Sequence, residues 1–206
     1  MNINDPEALD RIEKAVGKAE TGTSAELVVV VHPQSGSYLD RELLFGVGVG
    51  VVALAFLVFS PWTFHAALAL ADFLIAFTAG TWVCSWSTTL KGLVAGRRRR
   101  EKNVDAASRV AYLDEGVGAT KDRTGVLIFV SLFERSFRIL ADFGVEGRVG
   151  EAPWNRILRE AGTPTPAKTA ETVVSVIEKA GAVLAEALPP GEENPDEIPN
   201  RPRVLQ

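Results

Sequence analysis

Residues 43–59, LLFGVGVGVVALAFLVF, carry no charged side chain, and their reading decides how the rest of the chain is organised. A helix of that length is about long enough to cross the hydrocarbon core of a bilayer, at the short end of the usual range. After Ser60-Pro61 a second apolar run extends from residue 62 to about residue 95, interrupted only by His65, Asp72 and Lys91. Two consecutive helices apolar on every face are more than a chain of 206 residues can bury in its own core. The pair therefore reads as a transmembrane hairpin over residues 42–96. It divides a soluble part into residues 1–41 and 97–188, with a tail at 189–206.

Two frames fit the second span. Residues 64–86 set Trp82 and Trp86 near one interface and Trp62 at the other, with Asp72 off-centre in the hydrocarbon and two helical turns from His65. Residues 73–94 avoid the aspartate and take in Lys91, whose stem can snorkel outward. The belt of tryptophans favours the first. Arg41 precedes the hairpin, and Lys91 and Arg97, Arg98, Arg99 and Arg100 follow the second span, whereas the turn at 60–63 holds no lysine or arginine. That bias puts both flanks, and both termini, in the cytoplasm with the tip outside. The arginine run also suits anionic lipid headgroups. The start, MNINDPEALDRIEKAV, is polar and acidic, unlike a secretory signal.

Composition narrows the chemistry. There are 22 Lys+Arg against 26 Asp+Glu, a net charge of −4, and the mean hydropathy is +0.12. Net acidity argues against nucleic acid as a partner. The single cysteine, Cys84, excludes an intramolecular disulfide or a CxxC site, and two histidines leave little room for zinc or histidine catalysis.

The flanking segments complete each other. Asp5-Pro6 is a helix start, with Leu9, Ile12, Val16 and Ala19 at helical spacing. Residues 25–32, AELVVVVH, read as an interior strand covered on both faces. One helix and one strand do not make a domain, so the partner must follow the hairpin. There, residues 102–116 are helical in pattern. GVLIFVSL (125–132) and RSFRILAD (135–142) are strands joined closely enough to be an antiparallel hairpin. Helices are predicted over 152–161 and 167–188. The last segment, PPGEENPDEIPNRPRVLQ, is Pro-rich and acidic and reads as extended or disordered. The fold expected is a small α/β/α sandwich with a mixed sheet, interrupted by the helical hairpin.

TSAEL at 23–27, TKDRTGVLIFVSLFERSFRILADFGV at 120–145 and Trp154 together resemble the TPM domain family, named for thylakoid-lumen, photosystem II repair and acetylcholine-receptor modulator proteins. The closer resemblance is to bacterial membrane proteins that split this domain with a two-helix hairpin. Ala25 stands where the family usually has glycine. The resemblance implies an α/β/α sandwich. It also implies either an assembly or maintenance role without assigned chemistry or, as in plant members similar to acid phosphatases, calcium held by clustered carboxylates.

Among single residues, Asp142 is the best candidate catalytic carboxylate, at a strand end and before Phe143-Gly144. The same position also suits a turn aspartate that caps backbone amides. Arg123, Thr124 and Gly125 could grip a phosphate, or simply turn the chain into the strand. Glu134-Arg135 reads as a solvated pair at the hairpin turn, with Arg135 a further candidate contact. Asp105, Asp114, Glu115 and Asp122 read as solvated helix faces. Gly46 and Gly50 form a small-xxx-small spacing that lets helices approach, against the second span or against another copy. The expectation is a two-span bacterial inner-membrane protein whose cytoplasmic domain is a binding or maintenance module. It would work with a protein partner in or beside the bilayer, and a metal-assisted phosphatase is the alternative.

Overall fold

The computed structural model describes residues 5–61, 65–165, 168–191 and 198–204. They form two compact units, Met1–Ser35 with Glu101–Gln206, and Gly36–Arg100.

The first unit is built on β1, Glu26–His32. Its valines are β-branched, favour the pleated conformation, and send alternate side chains to opposite faces. Val29 and Val31 enter one core with Leu27, while Val28 and Val30 enter another. β1 pairs in parallel with β2, Gly125–Ser131, over its whole length, from Glu26 beside Gly125 to His32 beside Ser131. The segments before and after the apolar hairpin thus share one sheet. β2 pairs antiparallel with β3, Ser136–Ala141, and the strand order is β3-β2-β1-β4.

The fourth strand differs from expectation. Arg203–Val204, from the tail read as extended or disordered, forms β4 in parallel with Val30 and Val31 of β1. Ile198 packs on the second core. The open edge of β1 supplies the hydrogen-bonding partners that the tail's own composition does not reveal.

Helices cover both faces. On one lie α1, Pro6–Glu20, together with α6, Phe143–Val149, α7, Glu151–Ala161, and α8, Thr169–Ala187. Ala19 and Gly181 meet so closely that a Cβ on Gly181 would stand 2.7 Å from that of Ala19. Buried Glu20, at the end of α1, accepts the backbone N–H of Leu27 at 2.8 Å and so fixes the entry to β1. On the other face lies α5, Arg97–Asp114, through Val104 and Ala111. It begins five residues earlier than the pattern at 102 suggested, so the arginines form its first turn. A 3-10 turn, Val117–Ala119, follows.

The second unit holds α2, Leu39–Phe59, α3, Ala66–Trp86, and α4, Thr88–Ala95. The chain breaks at Ser87, whose hydroxyl caps α4 by accepting from Leu90 N, so the second long helix ends at Trp86 and Lys91 sits on a separate short helix. Trp62 and the rest of the tip at 62–64 lie outside the described residues. Gly46 and Gly50 face α3. A Cβ on Gly46 would meet Thr81 Oγ1 at 2.0 Å, and one on Gly50 would meet the Phe73 ring at 2.6 Å. The small-xxx-small spacing therefore serves packing within the hairpin. At its base Lys91 pairs with Glu42 at 2.9 Å and Arg99 with Asp40 at 2.7 Å.

Both long helices have the length and composition to cross a membrane, yet only 17% and 11% of their apolar windows are buried. A core helix of a water-soluble domain would be mostly covered. Here Val52, Val58, Phe59, Leu70 and Ile75 are open to the surroundings.

Candidate functional site

The first unit opens a cleft of about 930 Å³ across the β3 edge of the sheet, between α5 on one face and α6 and α7 on the other. Its centre is Asp142. The strand ends at Ala141, and Asp142 takes an extended backbone as N-cap of α6, its Oδ1 accepting Phe143 N at 2.8 Å. Such a cap is worth about 1 kcal/mol. The side chain is 3% exposed, so its charge needs an answer nearby. Arg123 supplies it. Its Nε lies 2.9 Å from Asp142 Oδ2, at an angle that makes an ion pair without a hydrogen bond.

Arg123 reaches that position through an unusual backbone. Its φ is +58°, in the left-handed region, which costs a non-glycine residue about 1–2 kcal/mol. Two contacts offset the strain. Arg123 O accepts Gly144 N at 2.9 Å, and Arg123 Nη1 donates to Gly118 O at 2.7 Å. The first requires glycine, because a Cβ on Gly144 would lie 2.7 Å from Arg123 O.

Tyr112, on the inner face of α5, completes the group. Burial, then the negative charge of Asp142 and a hydrogen bond to it, push the phenol up to about 12, against a smaller opposing effect of Arg123. Below that pH the phenol is neutral. Further along the cleft Arg138 Nε donates to Asp105 Oδ1 at 2.6 Å, and Trp154 and Arg109 contribute to the wall.

The structure thus brings Asp142 and Arg123 together and separates the other candidates. Thr124 is committed elsewhere: its N–H donates to Thr120 Oγ1 and its hydroxyl to Ser24 O. Gly125 packs against the 3-10 turn, where a Cβ would meet Val117 O at 2.0 Å. These two turn the chain into β2, and of the trio only Arg123 lines the cleft. Arg135 sits in the β2–β3 turn with φ +50°, at the other end of the sheet.

Its neighbour corrects the solvated-pair reading. Glu134 is 7% exposed and accepts Ser35 N at 3.0 Å and the hydroxyl of Ser131, which in turn accepts from Ser35 Oγ at 2.7 Å. This knot ties the exit of β1 to the β2–β3 turn. Tyr112 and Arg138 escaped the sequence reading, although Asp105, Arg109 and Tyr112 recur at helical spacing beside the apolar stripe of α5. Asp72 is exposed on α3, and no pairing with His65 is present.

Residues 93–182 match the TPM domain. That stretch of the chain carries a TPM domain. The TPM match covers α5 to most of α8, including every side chain around Asp142. The fold is also similar to that of the BA42 protein from the psychrophilic bacterium Bizionia argentinensis, solved by NMR. The TM-score is 0.57 at 17% identity, over 98% of this chain and 94% of that one. No curated protein matches the chain.

Calcium, which the TPM resemblance implies, needs six to eight converging oxygens. Asp142 and Asp105 face arginines at 2.9 and 2.6 Å, Glu115 pairs with Arg203 at 3.1 Å, and among the described residues no three His, Cys, Asp or Glu side chains converge. This arrangement does not fit the ion.

Proposed function

We propose that this is a membrane-anchored TPM-domain protein whose domain binds a partner through the β3-edge cleft, on the cytoplasmic side of a bacterial inner membrane. The observation that carries the binding role is the state of Asp142. One oxygen caps α6 and the other faces Arg123, so the strongest candidate nucleophile is already engaged at both oxygens. The uncovered apolar faces of α2 and α3 support the anchor. Arg41, Lys91 and Arg97–Arg100 at the base of the hairpin support a cytoplasmic base, because the topology rule counts lysines and arginines whether or not they are paired.

The metal-assisted phosphatase remains the competing reading, favoured by a buried carboxylate beside a guanidinium in a large cleft. Purified full-length protein is assayed on a generic phosphomonoester with and without calcium or magnesium. No turnover is the expected result, and turnover abolished by Asp142→Asn overturns the binding role. For the topology, a cysteine introduced at residue 60 should be labelled from outside and one at Gly116 should not.

A further inference from the structure

Asp72 is the one acidic residue in the 21-residue helix α3 and is exposed on it. The face of α3 that packs on α2 is marked by Phe73, Phe77 and Thr81, which meet Gly50 and Gly46. At 100° per residue Asp72 points well away from that face, in a stripe with Leu68, Ile75 and Val83, all of them exposed. Among the described residues it has neither an ion pair nor a hydrogen bond.

Depth makes this costly. The centre of α3 is Ala76, so Asp72 lies about 6 Å from the middle of a membrane-spanning helix and about 9 Å from its nearer end. An aspartate side chain is too short to carry its carboxylate to the interface, unlike the long stems of lysine and arginine. Ionisable groups at such depth are normally paired with other protein groups. Among the described residues Arg41, Lys91 and Arg97–Arg100 all lie at the base of the hairpin, toward the opposite end of α3, and His65, two helical turns from Asp72, makes no ion pair with it. A second copy inserted the same way would present the same apolar residues, and a second aspartate, at that level.

Resting on the membrane reading, we propose that the Asp72 stripe is a docking face for a different transmembrane helix, one that carries a lysine or arginine at the matching depth. The carboxylate gives the register, and Leu68, Ile75 and Val83 give the apolar contact around it.

The test uses labelled full-length protein in phospholipid vesicles with a labelled poly-leucine transmembrane peptide containing one lysine about 6 Å from its centre, and the all-leucine peptide as control. Energy transfer should report about three- to tenfold tighter association with the lysine peptide, the range of interhelical polar contacts in membranes. Asp72→Leu should erase the preference, and Asp72→Asn should weaken it. Equal association with both peptides, or a preference that survives Asp72→Leu, overturns the inference. Self-association that depends on Asp72 also overturns it, in favour of a second copy. Flotation of the protein with the vesicles is scored first: failure there removes the membrane reading itself, whereas flotation without a lysine preference removes only this proposal.

Discussion

Asp142→Asn isolates charge from shape in the cleft. Asparagine caps a helix about as well as aspartate, so the bond to Phe143 N survives, and what is lost is the negative charge facing Arg123 and Tyr112. Arg123 is half exposed, so the ion pair contributes less than about 1 kcal/mol, and the folded state should persist. The sharper effect falls on Tyr112. Two of the three influences that raise its phenol from 10 to about 12 come from Asp142, while burial comes from the surrounding core. In Asp142→Asn the phenol should therefore titrate below 12 and still above 10. The chain holds two tyrosines, so ultraviolet titration of the variant in a Tyr38→Phe background reads Tyr112 alone. The folded value lies above the ordinary one, so the associated stability is complete below pH 10 and is lost as pH rises through about 12. Two units correspond to about 2.7 kcal/mol at most. Solvent at a partly exposed ring reduces this to about 1 kcal/mol. Asp142→Ala should cost about 1 kcal/mol more than Asn in urea unfolding, through loss of the cap. A phenol still titrating at about 12 in Asp142→Asn would refute the coupling and leave burial as the whole cause.

Gly50→Leu should loosen the apolar hairpin by about 1–3 kcal/mol, because even its Cβ meets the Phe73 ring at 2.6 Å. Gly48→Leu, where a Cβ meets nothing within 4 Å, should be silent, and loss of a disulfide cross-link between cysteines placed on α2 and α3 reads the difference. Glu134→Ala should lower the stability read by urea unfolding by about 1–3 kcal/mol, since it strands the part-buried N–H of Ser35 without the carboxylate that accepts it.

What could be read from the sequence was what repeats or reverses locally. The valine run of β1 and the apolar run of β2 announce interior strands, and one helix and one strand before the hairpin do not make a domain, so a shared sheet was legible, while its register, Val29 beside Ile128, was not. The spacing of Gly46 and Gly50 announced a close helix approach, and only the structure shows that α3 is the helix that approaches. Features that depend on distant partners stayed hidden. The tail becomes β4 only because the edge of β1 is vacant. α5 starts at the arginines even though four cations at a helix N-terminus oppose its dipole. Glu134 looked solvated because its partner Ser35 lies 99 residues away in sequence. At the site, Asp142 and Arg123 could be named, but their meeting rests on a left-handed arginine backbone and on Gly144, and Tyr112 arrives from the opposite helical layer. Such convergence belongs to the fold and to no single motif.

The parallel ladder between β1 and β2 has a consequence for how the protein is made. β1 leaves the ribosome before the greasy hairpin, and its full-length partner appears only once Ser131 has been synthesised. At ordinary rates of translation the wait is roughly 5–20 s. Throughout that interval the valine-rich segment lacks the parallel neighbour it has in the folded sheet. The first half of the domain therefore stays unpaired until the second half has been made, and its sheet closes only after nearly a hundred further residues.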